Sequence, residues 1–202
     1  MSPTIQSEIK TIQPSQFSHP SPSKDPAERI ARYDELAERR GTFRRRNAYY
    51  HSEIEKAYRF IVPEGQSVLE IGCATGDLLA ALKPRRGVGI DFSPRMLEIA
   101  SSRYPHLEFL EMDAESLLPG ETFDYVIISG LLGDLDDIQL FFQRLHQVTR
   151  PETRIIIDYY NHLWEPIVRL AEFVDLKMPL RYQNWLPLSD IENLLYLNDY
   201  EV

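Results

Sequence analysis

Carboxylates recur through the middle of this 202-residue chain, each just past a short apolar run: Glu70, Asp91, Asp113 and Asp158. Glu70 and Asp77 also bracket a turn of small residues, Gly72-Cys73-Ala74-Thr75-Gly76. Small residues between a strand and a helix let a ligand approach the backbone, and the free amides of a helix start favour anions. The bland alternative is a tight strand–helix connection and nothing more. A pyrophosphate suits this turn badly, because two carboxylates beside it would repel the charge. The turn is also shorter than G-x-G-x-x-G and has Ala74 where the middle glycine would stand. A ligand with an adenosine, no phosphate and a positive charge fits better. Asp91 lies roughly 20 residues on, where a carboxylate accepts from both ribose hydroxyls. Its competing role as a helix cap falls to Ser93, which is followed by Pro94. Asp113 reads either as a turn residue or as an acceptor for an exocyclic amine.

These residues need elements that bring them together. Strand-like runs appear at "SVLEI", "GVGI", "LEFLE", "DYVIIS" and "RIIIDYY". Helical segments lie between them at Asp77–Leu82, Pro94–Arg103 and Asp137–Val148, ended by Pro84, Pro105 and Pro151. The last puts Ile138, Phe141, Phe142, Leu145 and Val148 on one face. The link "AESLLPGETF" is short. One of Asp134, Asp136 and Asp137 is expected to cap the helix that follows it. Continuous apolar runs such as Val126–Ile128 predict parallel strands covered on both faces. The fold class is therefore α/β: a Rossmann-like, doubly wound, mostly parallel sheet with helices on both faces. Ligands bind such sheets at the carboxyl ends of the strands.

At this point the chain resembles the class I S-adenosylmethionine-dependent methyltransferases. The likeness is carried by "VLEIGCATG", "VGIDFS", "LEMDAESL" and "FDYVIISGLL", in order, over about Tyr49 to Tyr160. It implies S-adenosyl-L-methionine as cofactor, a ligand with a ribose diol, an ammonium and a sulfonium. The implied cofactor-binding residues are Glu70, Gly72, Cys73, Ala74 and Gly76 around the turn, and Asp91 for the ribose. Phe92, Ser93 and Met96 lie beside the adenine, Asp113 and Ala114 hold its edge, and Ser129 and Leu131 close the cavity. The segment "NHLWEPIVRLAEFVDLKMPLRYQNWL" is also similar to methyltransferase domains that accompany family 2 glycosyltransferases. The family sheet has seven strands. Here "NDYEV" is expected to begin the sixth, with the C-terminal strand or strands missing, as in a fragment of a longer polypeptide.

Residues 1–25 are rich in Ser, Pro and Gln and are expected to be a disordered tail. Residues 26–62 read as a helical lid or cap broken near Gly41, and 63–202 as the Rossmann-like domain. Tyr49, Tyr50 and His51 are lid candidates, the alternative being aromatics that pack a helix onto the sheet edge. Tyr160, Asn161, His162 and Trp164 follow the fifth strand and would face an acceptor. Tyr50, Tyr160, Asn161 and His162 are thus the catalytic candidates. Methyl transfer to a small-molecule, sugar-containing or lipid-linked acceptor needs no base if positioning supplies the rate.

A net charge of −9 argues against a nucleic-acid partner, despite the basic run "RRGTFRRR". That run reads as a solvated face, or as a contact for an acidic substrate or anionic lipid. A single cysteine excludes an internal disulfide and a multi-thiolate zinc site, so no metal is expected. No apolar stretch reaches the length of a membrane span, and the expected location is cytoplasmic. The competing functions are a nicotinamide-dependent oxidoreductase and a non-catalytic cofactor-binding or interaction domain of a larger protein.

Overall fold

The computed structural model describes residues 26–116, 120–159 and 186–202. Among the described residues five parallel strands form one sheet: β1 (Ser67–Ile71), β2 (Arg86–Asp91), β3 (Glu108–Glu111), β4 (Tyr125–Ser129) and β5 (Arg154–Asp158). Their order is β3-β2-β1-β4-β5. It reverses direction between β1 and β4, so their carboxyl ends form the switch point where ligands of such sheets sit. The described helices are α1 (Pro26–Arg46), α2 (Ala48–Ile61), α3 (Asp77–Ala81), α4 (Pro94–Arg103), α5 (Ile138–Leu145) and α6 (Leu188–Leu197).

Side chains alternate across a strand, and this parity assigns each residue to one of two cores. Leu69, Ile71, Val88, Ile90, Val126 and Ile128 meet Phe141, Phe142 and Leu145 of α5 and Ile191 and Leu195 of α6. Val68 and Ile127 point the other way, onto Leu79, Leu82 and the α2 residue Tyr58. Glu70 shares the parity of Val68, so the pleat turns its carboxylate toward α3. All five residues of β1 are buried, which explains the absence of apolar–polar alternation in its sequence.

The caps follow their chemistry. Ser93 Oγ accepts from the Met96 amide at 3.2 Å, with Pro94 in the first turn of α4. Asp137, of the three candidate acids, caps α5 by accepting from the Leu140 amide at 2.9 Å. The α5 helix stops at Leu145 rather than Val148.

Two expectations are corrected. The N-terminal helix does not break at Gly41 but runs to Arg46, and the break falls at Asn47. An interior glycine costs a helix only about 1 kcal/mol, and buried Leu36, Ala37 and Phe43 hold α1 on both sides of it. The Asn47 side chain instead donates to the Phe43 carbonyl at 3.1 Å and closes the helix. Nor do residues 198–202 begin a strand. Asn198 ends α6 and donates to the Leu194 carbonyl at 2.7 Å, and Asp199 takes a left-handed φ of 60°. Tyr200 then stacks on His146 at 4.6 Å between ring centroids. Packing on α5 outweighs the β propensity of this short run.

Candidate functional site

The small-residue turn leaves β1 with positive φ at Gly72 (75°), Ala74 (47°) and Gly76 (71°). The amides of Gly72 and Cys73 both donate to the Ile90 carbonyl, at 2.9 and 3.0 Å, which ties the turn to β2. Asp91, at the end of β2, spans the same junction. Its Oδ2 accepts from the Ala74 amide at 2.8 Å and its Oδ1 from the Ser93 amide at 2.9 Å. Burial raises this carboxyl above its usual range, against the pull of the two amides and the charge of Arg40. Each carboxylate oxygen retains acceptor capacity, so two hydroxyls can still be received here.

Glu70 is only 4% exposed, and its Oε2 accepts from the Leu79 amide in the first turn of α3 at 2.9 Å. Burial pushes its carboxyl up to about 8, opposed by that amide and by Arg40. Asp77 accepts from Thr75 Oγ1 at 2.6 Å and from the Tyr104 hydroxyl at 2.8 Å. Arg44 and Arg103 each approach it at 3.7 Å. Burial thus works against the ionised form of Glu70, two arginines face the Asp77 carboxylate, and the Leu79 amide is already engaged by Glu70, which leaves one donor fewer for a phosphate at the helix start.

Packing constrains the turn from the sheet side. A Cβ at Gly76 would come within 2.6 Å of the Phe109 ring, and one at Gly72 within 3.1 Å of Leu131. Cys73 is buried with its thiol pushed well up, and its sulfur lies against the α-carbon of Gly89, where a Cβ would come within 2.7 Å. Its contribution to the turn is therefore backbone.

Beyond Asp91, Met96 packs against Ala74 of the turn, the Met112 amide donates to the Asp91 carbonyl at 2.9 Å just before Asp113, and Ala114 packs into the core on the α5 side. Asp113 Oδ1 accepts from the Glu115 amide at 2.9 Å at the start of the single-turn helix 114–116. From helix α1, Ala37 packs with Ala74 and Met96, and the Tyr33 ring meets Phe92 edge-on at 4.9 Å. The Arg29 guanidinium lies over Phe92 at 4.9 Å and pairs with Asp113 at 2.5 Å. Asp34 accepts from Ser93 Oγ at 2.5 Å. Sequence reasoning missed Arg29, Asp34 and Arg40. The available signal was helical: Arg29, Tyr33, Ala37 and Arg40 recur at three- and four-residue spacing.

At the ends of β4 and β5, Ser129 pairs in register with Asp158, and Gly130 turns with a φ of 63°. The buried Tyr58 hydroxyl donates to Asp158, and burial and that carboxylate push the phenol far above its usual range. Of the lid candidates, Tyr49 is 79% and Tyr50 42% exposed, on the outer side of α2. Tyr58, two turns on from Tyr50 and His51, reaches the strand ends. His51 is held below its ordinary range by burial and then by Arg44 and Arg40. Tyr160, Asn161, His162 and Trp164 lie outside the described residues, as does all but the last residue, Leu186, of the segment similar to glycosyltransferase-linked domains.

A family model described as a methyltransferase domain matches residues 68–152. A demethylmenaquinone methyltransferase of Bacillus licheniformis is 33% identical over 104 residues, covering 47% of this chain and 45% of that protein. The corresponding protein of Streptomyces avermitilis is 30% identical over 152 residues, covering 71% of this chain and 65% of its own length. The chain spans about half the length of the first curated relatives that it matches. Among solved structures, a Thermotoga maritima protein described as a SAM-dependent methyltransferase, possible histamine N-methyltransferase, superposes with a TM-score of 0.69. It is 20% identical and covers 86% of this chain and 81% of its own, a likeness of fold.

Proposed function

We propose that the chain is a class I S-adenosylmethionine-dependent methyltransferase that transfers the methyl group of the cofactor to a small-molecule acceptor, a reading supported by the methyltransferase-domain model over residues 68–152 and by the methyltransferase relatives. The observation that carries this reading is Asp91, a buried carboxylate spanning the turn and the start of α4. The residues fit the cofactor's chemistry. Asp91 would accept from the ribose hydroxyls, and Phe92, Ser93 and Met96 would flank the adenine. Asp113 would accept from the exocyclic amine with Ala114 beside it. Gly72, Cys73, Ala74 and Gly76 would present backbone to the methionine part. Glu70 would offer its second oxygen to the ammonium, and Ser129 and Leu131 would close the cavity. Bound there, the cofactor supplies a methyl carbon already activated by its sulfonium. The chain's task is then alignment, which is worth roughly 7–11 kcal/mol for well-oriented reactants.

The relatives named for demethylmenaquinone and for 2-phytyl-1,4-naphtoquinone make a lipid-soluble quinol the first acceptor class to test. Sugar-containing acceptors come second. Residues 26–62 serve as a cap over the cofactor, and Tyr160, Asn161 and His162 stand as acceptor-side residues. Among the described residues no helix is long and apolar enough to cross a membrane.

The test is calorimetric titration of the chain with S-adenosylhomocysteine and, separately, with NAD. Saturable binding of the first without the second is the expected result. Binding of NAD alone would replace the methyltransferase reading with the oxidoreductase one.

A further inference from the structure

Helix α1 presents Arg29, Tyr33 and Ala37 on one face, spaced by one helical turn each. The partners of that face are the residues assigned above to the adenosine. The Arg29 guanidinium lies 4.9 Å from the centre of the Phe92 ring and pairs with Asp113 Oδ2 at 2.5 Å. Tyr33 covers the edge of Phe92 and donates to Asp134 at 3.1 Å. Ala37 closes on Ala74 and Met96. A guanidinium is flat, stacks on aromatic faces and carries a row of N–H donors. An adenine is also flat, stacks in the same way and offers an exocyclic amine to a carboxylate. Phe92 and Asp113 satisfy either group, but one seat cannot hold both.

We propose that α1 is a displaceable strap whose Arg29 occupies the adenine seat, so that cofactor binds only as this face of the helix is released. The inference rests on the adenosine assignment of the preceding section. The seat fits Arg29 imperfectly: its Nε is buried without a hydrogen-bond partner among the described residues. An unsatisfied buried donor penalises the strapped arrangement and favours exchange. Besides buried Leu36 and an approach of Arg29 to Asp136 at 3.6 Å, the remaining ties described are exchangeable polar contacts. Asp34 accepts from Ser93 Oγ at 2.5 Å and from the Arg95 amide at 3.2 Å. Glu38 pairs with Arg95, with side chains 62% and 40% exposed, a pair that solvent screens strongly. Gly41 follows this stretch as a weak point, before buried Phe43 anchors the rest of the helix.

A strap of this kind lowers apparent affinity by the fraction of molecules whose seat is open, so loosening it must tighten binding. The experiment titrates S-adenosylhomocysteine into the full chain, wild type, Arg29→Ala and Glu38→Ala, with circular dichroism of each. Arg29→Ala is expected to lower Kd by about threefold or more, and Glu38→Ala to lower it by a smaller factor. Glu38 contacts none of the adenine residues, and its exposed side chain keeps the test open if Arg29→Ala folds poorly. Hydrogen exchange at amides 29–38 is expected to speed up when S-adenosylhomocysteine is added. Weaker or unchanged binding by Arg29→Ala, or protection of those amides, would overturn the strap while leaving the cofactor reading intact. Failure of all three folded proteins to bind would overturn the adenosine assignment and the strap with it.

Discussion

At the amino ends of the strands Asp124 and Ser67 hold each other. The Ser67 amide donates to Asp124 Oδ2 at 2.8 Å, and the Asp124 amide donates to Ser67 Oγ at 2.9 Å. Arg85 at 3.3 Å and Arg150 complete the arrangement, and these bonds hold the carboxyl down at about 2. At the carboxyl ends of the same strands, burial pushes Glu70 up to about 8 and raises Asp91, with only backbone amides as direct partners. The physical difference is desolvation against pairing: the rim acid sits among donors and water, and the site acids sit in an apolar interior. One end of the sheet is built to stay closed. The other retains acceptor capacity that water does not satisfy, which is what a polar ligand needs.

That contrast can be broken by mutation. Asp91→Ala is expected to weaken S-adenosylhomocysteine binding by about two orders of magnitude, since two charge-assisted hydrogen bonds contribute about 1.5–3 kcal/mol each. Calorimetry measures this, and retained affinity would remove the ribose assignment. Asp124→Ala is expected to lower unfolding free energy by roughly 1–3 kcal/mol in urea and to leave that affinity unchanged. A loss of affinity as large as the loss of stability would mean that the two ends are not distinct. Because the Asp124 pKa is depressed from 3.8 to about 2, its ionised form contributes stability above the unfolded value. The gap in Tm between wild type and Asp124→Ala should therefore close as pH falls through that window.

Glu70 has the opposite sign, and its window includes neutrality. Its folded pKa lies above its unfolded value of 4.5, so its contribution is fully present below that value and is lost as pH rises through about 8. Wild-type stability should fall across this window by at most roughly 1.4 kcal/mol per pH unit. In Glu70→Gln, which can still accept from the Leu79 amide, that pH dependence should disappear. Parallel Tm–pH curves for the two proteins would show that Glu70 is not buried as described.

Much of this arrangement was legible in the chain. The strand–turn–helix at Ser67–Ala81, the Ser93-Pro94 start of α4 and the parallel order of elements rest on local patterns, and local patterns survive folding. Gly41 misled because a glycine inside a helix is a weak local signal that buried neighbours override. The "NDYEV" run misled because stacking of Tyr200 on His146 is a contact between distant residues. Which of the α2 aromatics meets the sheet was not legible, since spacing alone does not say which face of a helix packs inward.

The sequence by itself determined the alternation of strands and helices, the small-residue turn and the acids that follow the strands. Period-two and period-3.6 patterning and capping chemistry act within a few residues. Only the tertiary structure decided that Arg29 meets Phe92 and Asp113, that Tyr58 reaches Asp158 and that Glu70 is buried with its carboxyl pushed up. Those outcomes depend on residues distant along the chain approaching within a few ångströms, and on the water that their packing excludes.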